Sequence, residues 1–268
     1  MQPSRHRQIM DILRDRGTCS VEDLARQCGV SDMTIRRDLQ RLAEGGQLVR
    51  THGGAAAAEQ VAFEFQFLRR SKVHRAEKDR IGRAAADLVQ DGQSVMLDSG
   101  STTLAIAKHL RVKKGLTVIT TSLPIASALQ QAPGVEVLLL GGFIRRESPD
   151  LEGPLTESNL ENLKADVAFV GADGIDLHGT VYNASLNVAR MLKKMAAAAA
   201  AVWVVADSGK IGRTALSAFG NVAKWKGLIT DGGAPEPALN ALRGAGVHVV
   251  KVGQQDDRTS RDEAAVHA

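Results

Sequence analysis

Five short polar stretches in the second half of the chain carry groups that can hold an anion. Asp98-Ser-Gly-Ser-Thr-Thr103, Thr120-Thr-Ser122, Gly141-Gly142, Gly171-Ala-Asp173-Gly174 and Asp207-Ser-Gly-Lys210 each follow a β-rich run. A turn that ends a strand and opens a helix leaves amides free, and Gly100 with the Ser101, Thr102 and Thr103 hydroxyls makes such a turn suited to phosphate. Thr121 and Ser122 offer the same chemistry, and Gly141 and Gly142 end the third strand with Arg145 available as a charge partner. Asp98, Asp173 and Asp207 can accept from ligand hydroxyls, and Lys210 can meet a phosphate. One Gly/Ser/Thr turn says little, because most are only turns. Several at successive strand ends point to a pocket for a polyol phosphate. The competing reading has Asp173 and Asp207 capping helices and Lys210 solvated.

A different chemistry is spaced along residues 1–60, which contain nine Arg, eight acids and no Lys. In the stretch from Asp32 to about Glu44, Ile35, Leu39 and Leu42 fall within about 60° of one another on a helix turning about 100° per residue, which makes a core stripe. Met33, Arg37, Gln40 and Arg41 lie opposite, with Thr34 and Arg36 on the flanks and Ser31 at the N-cap. A helix entering the major groove needs this division between an apolar back and a guanidinium-rich front. Thr34, Arg36 and Arg37 sit early enough to reach base edges, whereas Arg41 and Arg50 are better placed for phosphates, and His52 for the backbone or minor groove. Asp32 and Asp38 are expected to cap the helix or orient neighbouring arginines. Charge alone favours ordinary surface arginines; pattern and turn spacing favour DNA.

The elements that would position these groups follow two rhythms. Ile9, Ile12 and Leu13 give a first helix, Ser20-Val-Glu-Asp23 caps a second through Val21–Gln27, and Gly29 provides a tight turn at positive φ before the third. Leu48–His52 reads as a short strand before Gly53-Gly54, so residues 1–58 have the layout of a winged helix-turn-helix. Ala55–Ala58 is low complexity. Residues 59–80 read as a connector, in which Phe63, Phe65, Phe67 and Leu68 need a place to be buried. From residue 81 to 253, strands at Ser94–Leu97, Leu116–Thr120, Val135–Leu140, Val167–Val170, Val202–Ala206, Gly227–Thr230 and Val247–Val252 alternate with helices. Unalternated apolar strands between helices imply a mostly parallel sheet covered on both faces, with ligands at the carboxyl ends of its strands.

Composition narrows the classes. Lys and Arg number 34 against 30 acids, which excludes a polybasic tail protein or an acidic disordered chain. The apolar run Ala196–Ala206 is far short of the about twenty residues a bilayer helix needs, so a cytoplasmic protein is expected. Cys19 and Cys28 show neither disulfide nor metal-ligand spacing and are expected to fill core space; no cofactor or metal is implied. Residues 254–268, polar and charged, read as a tail.

Ser31-x-x-Thr-Ile-Arg-Arg-Asp-Leu39, followed by Leu48-x-Arg50-x-His-Gly-Gly-Ala55, resembles the signature of DeoR-family bacterial transcriptional regulators. The five strand-end stretches, with Gly171-Ala-Asp-Gly-Ile-Asp176, are similar to that family's sugar-phosphate-sensing domain, and the likeness spans roughly residues 4–252. It implies a repressor of a carbohydrate or polyol operon, a homodimer or homotetramer, released from operator DNA by a phosphorylated sugar or related metabolite. It also implies an α/β sensor related to the ribose-5-phosphate isomerase/CoA-transferase fold behind the winged helix-turn-helix. The chain departs from the family pattern at Thr121, where Asn is usual, at Gly209, where Ser is usual, and over Asn187–Lys194, which lacks a common Glu. An isomerase would need a second acid close to Asp173 for proton transfer, and Gly171-Ala-Asp173-Gly174 supplies none, so catalysis is not expected. A DNA-binding protein with a purely structural second domain is the other alternative.

Overall fold

The computed structural model describes residues 5–16, 18–44, 47–51, 53–57, 67, 70–145 and 148–253. The chain divides into two compact units, residues 1–69 with 146–148, and residues 70–145 with 149–268.

In the first unit, α1 (Arg5–Arg16), β1 (Thr18–Ser20), α2 (Val21–Cys28), α3 (Asp32–Glu44), β2 (Leu48–Thr51) and β3 (Gly54–Ala57) follow in order. Ile9, Leu13, Leu24, Ile35 and Leu39 are fully buried and join the three helices into one core. Ser20 caps the α2 start: the Asp23 amide donates to Ser20 Oγ at 3.0 Å, and that hydroxyl donates to Asp23 Oδ2 at 2.9 Å. Gly29, at φ 67°, ends the helix in the left-handed region.

The sequence missed β1 and gave no bounds for β3, the return strand of the small hairpin expected after Leu48–His52. β3 is the middle strand of a three-stranded antiparallel sheet, paired with β1 on one side and β2 on the other. Its small residues have a steric cause, because a Cβ on Gly54 would lie 2.0 Å from the Cys19 carbonyl oxygen. Ala55 and Ala56 are buried. Ala58, Phe63, Phe65 and Leu68 lie outside the described residues; Phe67 is buried.

Asp38 shares the apolar stripe of α3 and is buried. It serves no arginine of its own helix: its carboxylate accepts from Arg5 Nε and stands 3.1 Å from His6 Nε2, so it ties α3 to α1. These bonds hold the Asp38 carboxyl below the usual carboxylate range.

The second unit is built on α4 (Arg75–Asp87), β4 (Ser94–Leu97), α5 (Ser101–Leu110), β5 (Leu116–Thr120), α6 (Leu123–Leu129) and β6 (Val135–Leu139). Next come the hairpin β7 (Phe143–Ile144) and β8 (Leu151–Glu152), α7 (Pro154–Glu161), β9 (Ala165–Val170), β10 (Gly174–Ile175), β11 (Thr180–Asn183) and α8 (Leu186–Ala197). The unit finishes with β12 (Ala199–Val205), β13 (Ser217–Asn221), β14 (Gly227–Asp231), α9 (Glu236–Gly244) and β15 (Val249–Val252). Seven strands form one sheet in the order β15-β14-β12-β9-β4-β5-β6, with every neighbouring pair parallel. All seven carboxyl ends therefore share one edge. The chain reverses its direction of travel across the sheet between β4 and β9, the position where open parallel sheets bind ligands.

Strand alternation divides the core. Val95 and Leu97 pack with Ile81 and Ala85 of α4, Ile106 of α5 and Ile125 of α6. Met96 faces the other way, into the layer holding Met195 of α8 and Leu239 of α9. Gly82 lets α4 and α5 touch, since a Cβ there would come within 2.7 Å of the Ala105 backbone carbon. α4 starts at Arg75 and crosses the position at residue 80 where the sequence reading placed the end of the connector. The hairpin β7–β8, α7 and the small antiparallel sheet β10-β11-β13 were not anticipated.

The Asp38 bonds make a pH prediction. A carboxylate whose pKa is depressed on folding stabilises at pH above its unfolded value of about 3.9 and loses that contribution as pH falls through the folded pKa. Methyl NMR of Ile9, Ile35 and Leu39 should show wild-type native signals vanishing on acidification. Asp38→Asn should weaken the first unit at neutral pH and lack that acid step. An unchanged acid profile in the variant would remove Asp38 from this role.

Candidate functional site

The first unit presents one polar face. Ser31 Oγ accepts from the Thr34 amide at 3.4 Å and lies 3.0 Å from Thr34 Oγ1, which caps the start of α3. Beyond that cap Met33 is 63% exposed, Arg36, Arg37, Gln40 and Arg41 are exposed, and Thr34 is half-buried. Arg50 is exposed on β2. Among the described residues, Arg36, Arg37, Arg41 and Arg50 have no ion-pair or hydrogen-bond partner, so four guanidiniums stand uncommitted. His52 lies outside the described residues.

In the second unit, every proposed ligand group sits at or beside the carboxyl edge of the large sheet. At the point of reversal Asp98 is buried, and its carboxylate is already engaged. Oδ1 accepts from the Gly100 amide at 2.8 Å and from the Thr103 hydroxyl at 2.7 Å; Oδ2 accepts from the Gly171 amide at 2.6 Å. This clasp joins the ends of β4 and β9 to the start of α5. Burial pushes the Asp98 carboxyl up, and the nearby Asp150 charge pushes the same way against those three bonds. Gly100 is not left-handed, with φ −77°; it is small because a Cβ would sit 3.0 Å from Asp98 Oδ1 and 3.1 Å from Thr103 Oγ1.

These bonds settle which groups are spent. The Thr103 hydroxyl faces inward, fully buried. Ser122 Oγ caps α6 through the Ile125 amide at 3.4 Å, and Thr121 is buried beside it. Arg145 is not the free charge partner the sequence suggested. Its Nε and Nη2 hold Asp150 at 3.0 and 3.2 Å, and Ser99 Oγ donates to the same carboxylate at 2.6 Å. Gly142 passes where a Cβ would come 2.1 Å from Thr156 Oγ1, and that hydroxyl donates to the Gly141 carbonyl at 2.6 Å. Asp207 caps the short 3-10 turn Ser208–Lys210 through the Gly209 amide at 3.1 Å.

Open groups remain. The first-turn amides of α5, from Ser101 to Thr103, have no side-chain cap and no acceptor among the described residues. Ser101 is half-buried and Thr102 buried. Lys210 Nζ lies 3.9 Å from Asp173 Oδ1, with both side chains about a third exposed, 33% and 29%. Such a pair is weak and easily shared with a ligand. Asp173 Oδ2 also accepts from the Ala184 amide at 2.9 Å. The edge thus offers unpaired amides and one ammonium to an anion.

Three buried groups at this edge were missed. Asp150 sits in a loop with no periodic pattern. Asp231 ends β14 and accepts from the Ser208 amide at 2.6 Å and the Gly233 amide at 2.8 Å; its Asp-Gly-Gly context was a legible strand-end signal. Lys78 shares the buried face of α4 with Ile81, Gly82 and Ala85, and a lysine on an apolar stripe was the clue.

Two family models match this chain: the DeoR-like helix-turn-helix domain over residues 5–61 and the DeoR C terminal sensor domain over residues 73–232. A candidate aga operon transcriptional repressor of Escherichia coli O157:H7 is 37% identical over 93% of this chain and 94% of its own length. The HTH-type transcriptional repressor CsqR of Escherichia coli K12 is 31% identical over 92% and 94%. The glycerol-3-phosphate regulon repressor of the same strain is 29% identical over 90% and 95%. Among solved structures, ribose 5-phosphate isomerase A from Neisseria gonorrhoeae aligns with a TM-score of 0.37 at 20% identity, covering 50% of this chain and 52% of that one, too low a score to support an argument.

The Asp98 clasp yields a stability prediction. Asp98→Ala orphans the Gly100 and Gly171 amides, while the Thr103 hydroxyl keeps the carbonyls of residues 98 and 100. At about 1–3 kcal/mol for each orphan, the loss should reach about 2 kcal/mol or more. Asp98→Asn keeps one acceptor oxygen and should fall between. Urea unfolding followed by Trp203 and Trp225 fluorescence measures both, and an Asp98→Ala chain as stable as wild type would show that the clasp contributes nothing.

Proposed function

Since the chain belongs to the DeoR family of transcriptional regulators, we propose that it represses a carbohydrate or polyol operon and leaves its operator when a phosphorylated sugar or related metabolite occupies the carboxyl edge of the seven-stranded sheet. The observation that carries this reading is the uncapped start of α5, at the same sheet edge as Lys210. It is a place for a phosphate on a chain whose other unit bears unpaired guanidiniums. The helix dipole and unpaired amides favour negative charge there. In this reading Ser101 and Thr102 bind the phosphate with Lys210, and Asp173 receives ligand hydroxyls. Asp98, Thr103, Ser122, Gly141, Gly142 and Arg145 shape the edge. The glycerol-3-phosphate regulon repressor, named for a phosphorylated polyol, supports that chemistry.

On the other unit, α3 enters the major groove with Thr34, Arg36 and Arg37 toward the bases. Ser31, Met33, Arg41 and Arg50 line the approach, Arg41 and Arg50 meet phosphates, and His52 belongs to the wing. The domain assignment is a reader over residues 1–58, a connector over 59–80, a sensor over 81–253 and a tail over 254–268. A homodimer or homotetramer sets two such helices about one turn of DNA apart, roughly 34–36 Å. Among the described residues no helix is long and apolar enough to cross a membrane, and an operator places the working protein in the cytoplasm. The protein is a regulator rather than an enzyme. Effector binding needs only to change DNA affinity by a typical coupling of about 1–3 kcal/mol.

The test is a mobility shift on the DNA upstream of the protein's own gene, repeated with triose, pentose and hexose phosphates. Lys210→Ala should bind the operator as wild type does and no longer be released. Arg37→Ala should lose about 1–3 kcal/mol of sequence preference, whereas Arg50→Ala should weaken all DNA alike and lower the salt dependence. Release of Lys210→Ala at wild-type concentrations, or an unchanged Arg37→Ala footprint, would overturn the respective assignment.

A further inference from the structure

Lys78 is a buried cation with no contact to the proposed ligand groups except one. Its side chain is 8% exposed, and its Nζ donates to the carbonyls of Arg70 at 2.6 Å and Val73 at 2.9 Å. On its far side it faces Asp207 Oδ2 at 3.9 Å, a carboxylate that is itself 6% exposed. The two carbonyls belong to residues 70–73, where the second unit begins and through which the chain runs back to the reader. Asp207 opens the turn that carries Lys210 and holds it by two bonds, from the Gly209 amide to Oδ1 and from the Lys210 amide to the Asp207 carbonyl at 2.9 Å. One ammonium therefore spans the ligand edge and the entry of the connecting segment.

The neighbouring backbone is strained in a way that suits a device with two arrangements. His74 adopts φ 53°, the one non-glycine residue at positive φ among the described residues, and no side chain caps α4 at that position. Left-handed histidine costs free energy and persists only where surroundings hold it. Its Nε2 lies 4.0 Å from where a Cβ on Gly209 would stand, so the turn 207–210 is flanked by both His74 and Lys78. A buried ammonium that loses its carboxylate must find another partner or move. An anion that draws Lys210 and its turn away from the present position displaces Asp207 from Lys78, and the two carbonyls then lose the group that fixes them.

We propose that Lys78 is the positioning residue that couples the sensor edge to the reader, by fixing the backbone of residues 70–73 according to where Asp207 stands. This deepens the effector reading given above and rests on it. Lys78 touches neither DNA nor effector in this scheme, so its loss should separate sensing from response.

The experiment uses the full chain, its operator fragment and the triose, pentose and hexose phosphates tried one by one. For the wild type, the releasing phosphate should raise the operator Kd by about 5–150-fold. Lys78→Met should bind that phosphate in calorimetry and the operator in its absence as wild type does, while the ratio of the two operator Kd values falls toward one. If Lys78→Met does not fold, Lys78→Gln replaces it. Hydrogen exchange of the wild-type 70–78 peptide needs no variant and should change when the phosphate is added. A variant released as readily as wild type, or exchange in that peptide indifferent to the phosphate, would overturn the coupling role and leave the effector reading standing. A wild-type protein that holds its operator against every phosphate would overturn both.

Discussion

Where β4 and β9 part, two adjacent parallel strands must end and a helix must begin without stranding buried amides. Asp98 meets that constraint with one buried carboxylate that accepts from the turn at Gly100, from Thr103 inside α5 and from Gly171 at the end of β9. Each partner is fixed by the others, and the glycines at 100 and 171 are small because any Cβ would press on that carboxylate. The first-turn amides of α5 have no acceptor among the described residues. The proposed anion site is that set of amides, with Lys210 at the same edge.

Acids prevail among the buried charged groups around this edge: Asp98, Asp150, Asp207 and Asp231 are all buried. Their partners are of three kinds. Asp150 has a forked guanidinium from Arg145, Asp207 has Lys78, and Asp98 and Asp231 have backbone amides. For the anionic effector proposed above, buried negative charge would be repulsive at long range, which the amides of α5 and Lys210 would offset locally. Recognition at such an edge depends more on geometry than on net charge.

The large sheet was legible because its strands are short, mostly apolar runs followed by Gly, Asp, Thr or Ser, interrupted only by single charges such as Glu136, Asp166 and Lys251. Such runs between helices have few other solutions. The α3 face was legible because Ile35, Leu39 and Leu42 recur at helical spacing. β3 was not, because Gly54-Ala-Ala-Ala57 carries no alternation; its reason for being small is a neighbour, Cys19, distant in sequence. Two-residue strands such as β7, β8 and β10 give no period to read. The partner of Lys78 was hidden because Asp207 comes into range only through tertiary packing, whereas Arg145 meets Asp150 five residues on across the β7–β8 hairpin, where free-standing charge was the wrong default.

The alanine stretch from 196 to 201 spans the end of α8 and the start of β12, with Ala198 between them. Identical methyl groups cannot say where coil turns into strand, so phase must come from further along. Val202, Val204 and Ala206 enter one layer of the core while Trp203 and Val205 enter the other, opposite Phe169 and its neighbours. Parity is the consequence: an odd slip would trade an indole for an isopropyl on both faces at once, while an even one would preserve the sides but shift every rung. The featureless linker thus acts as slack rope, and the indole of Trp203 is the knot that decides how much of it is paid out.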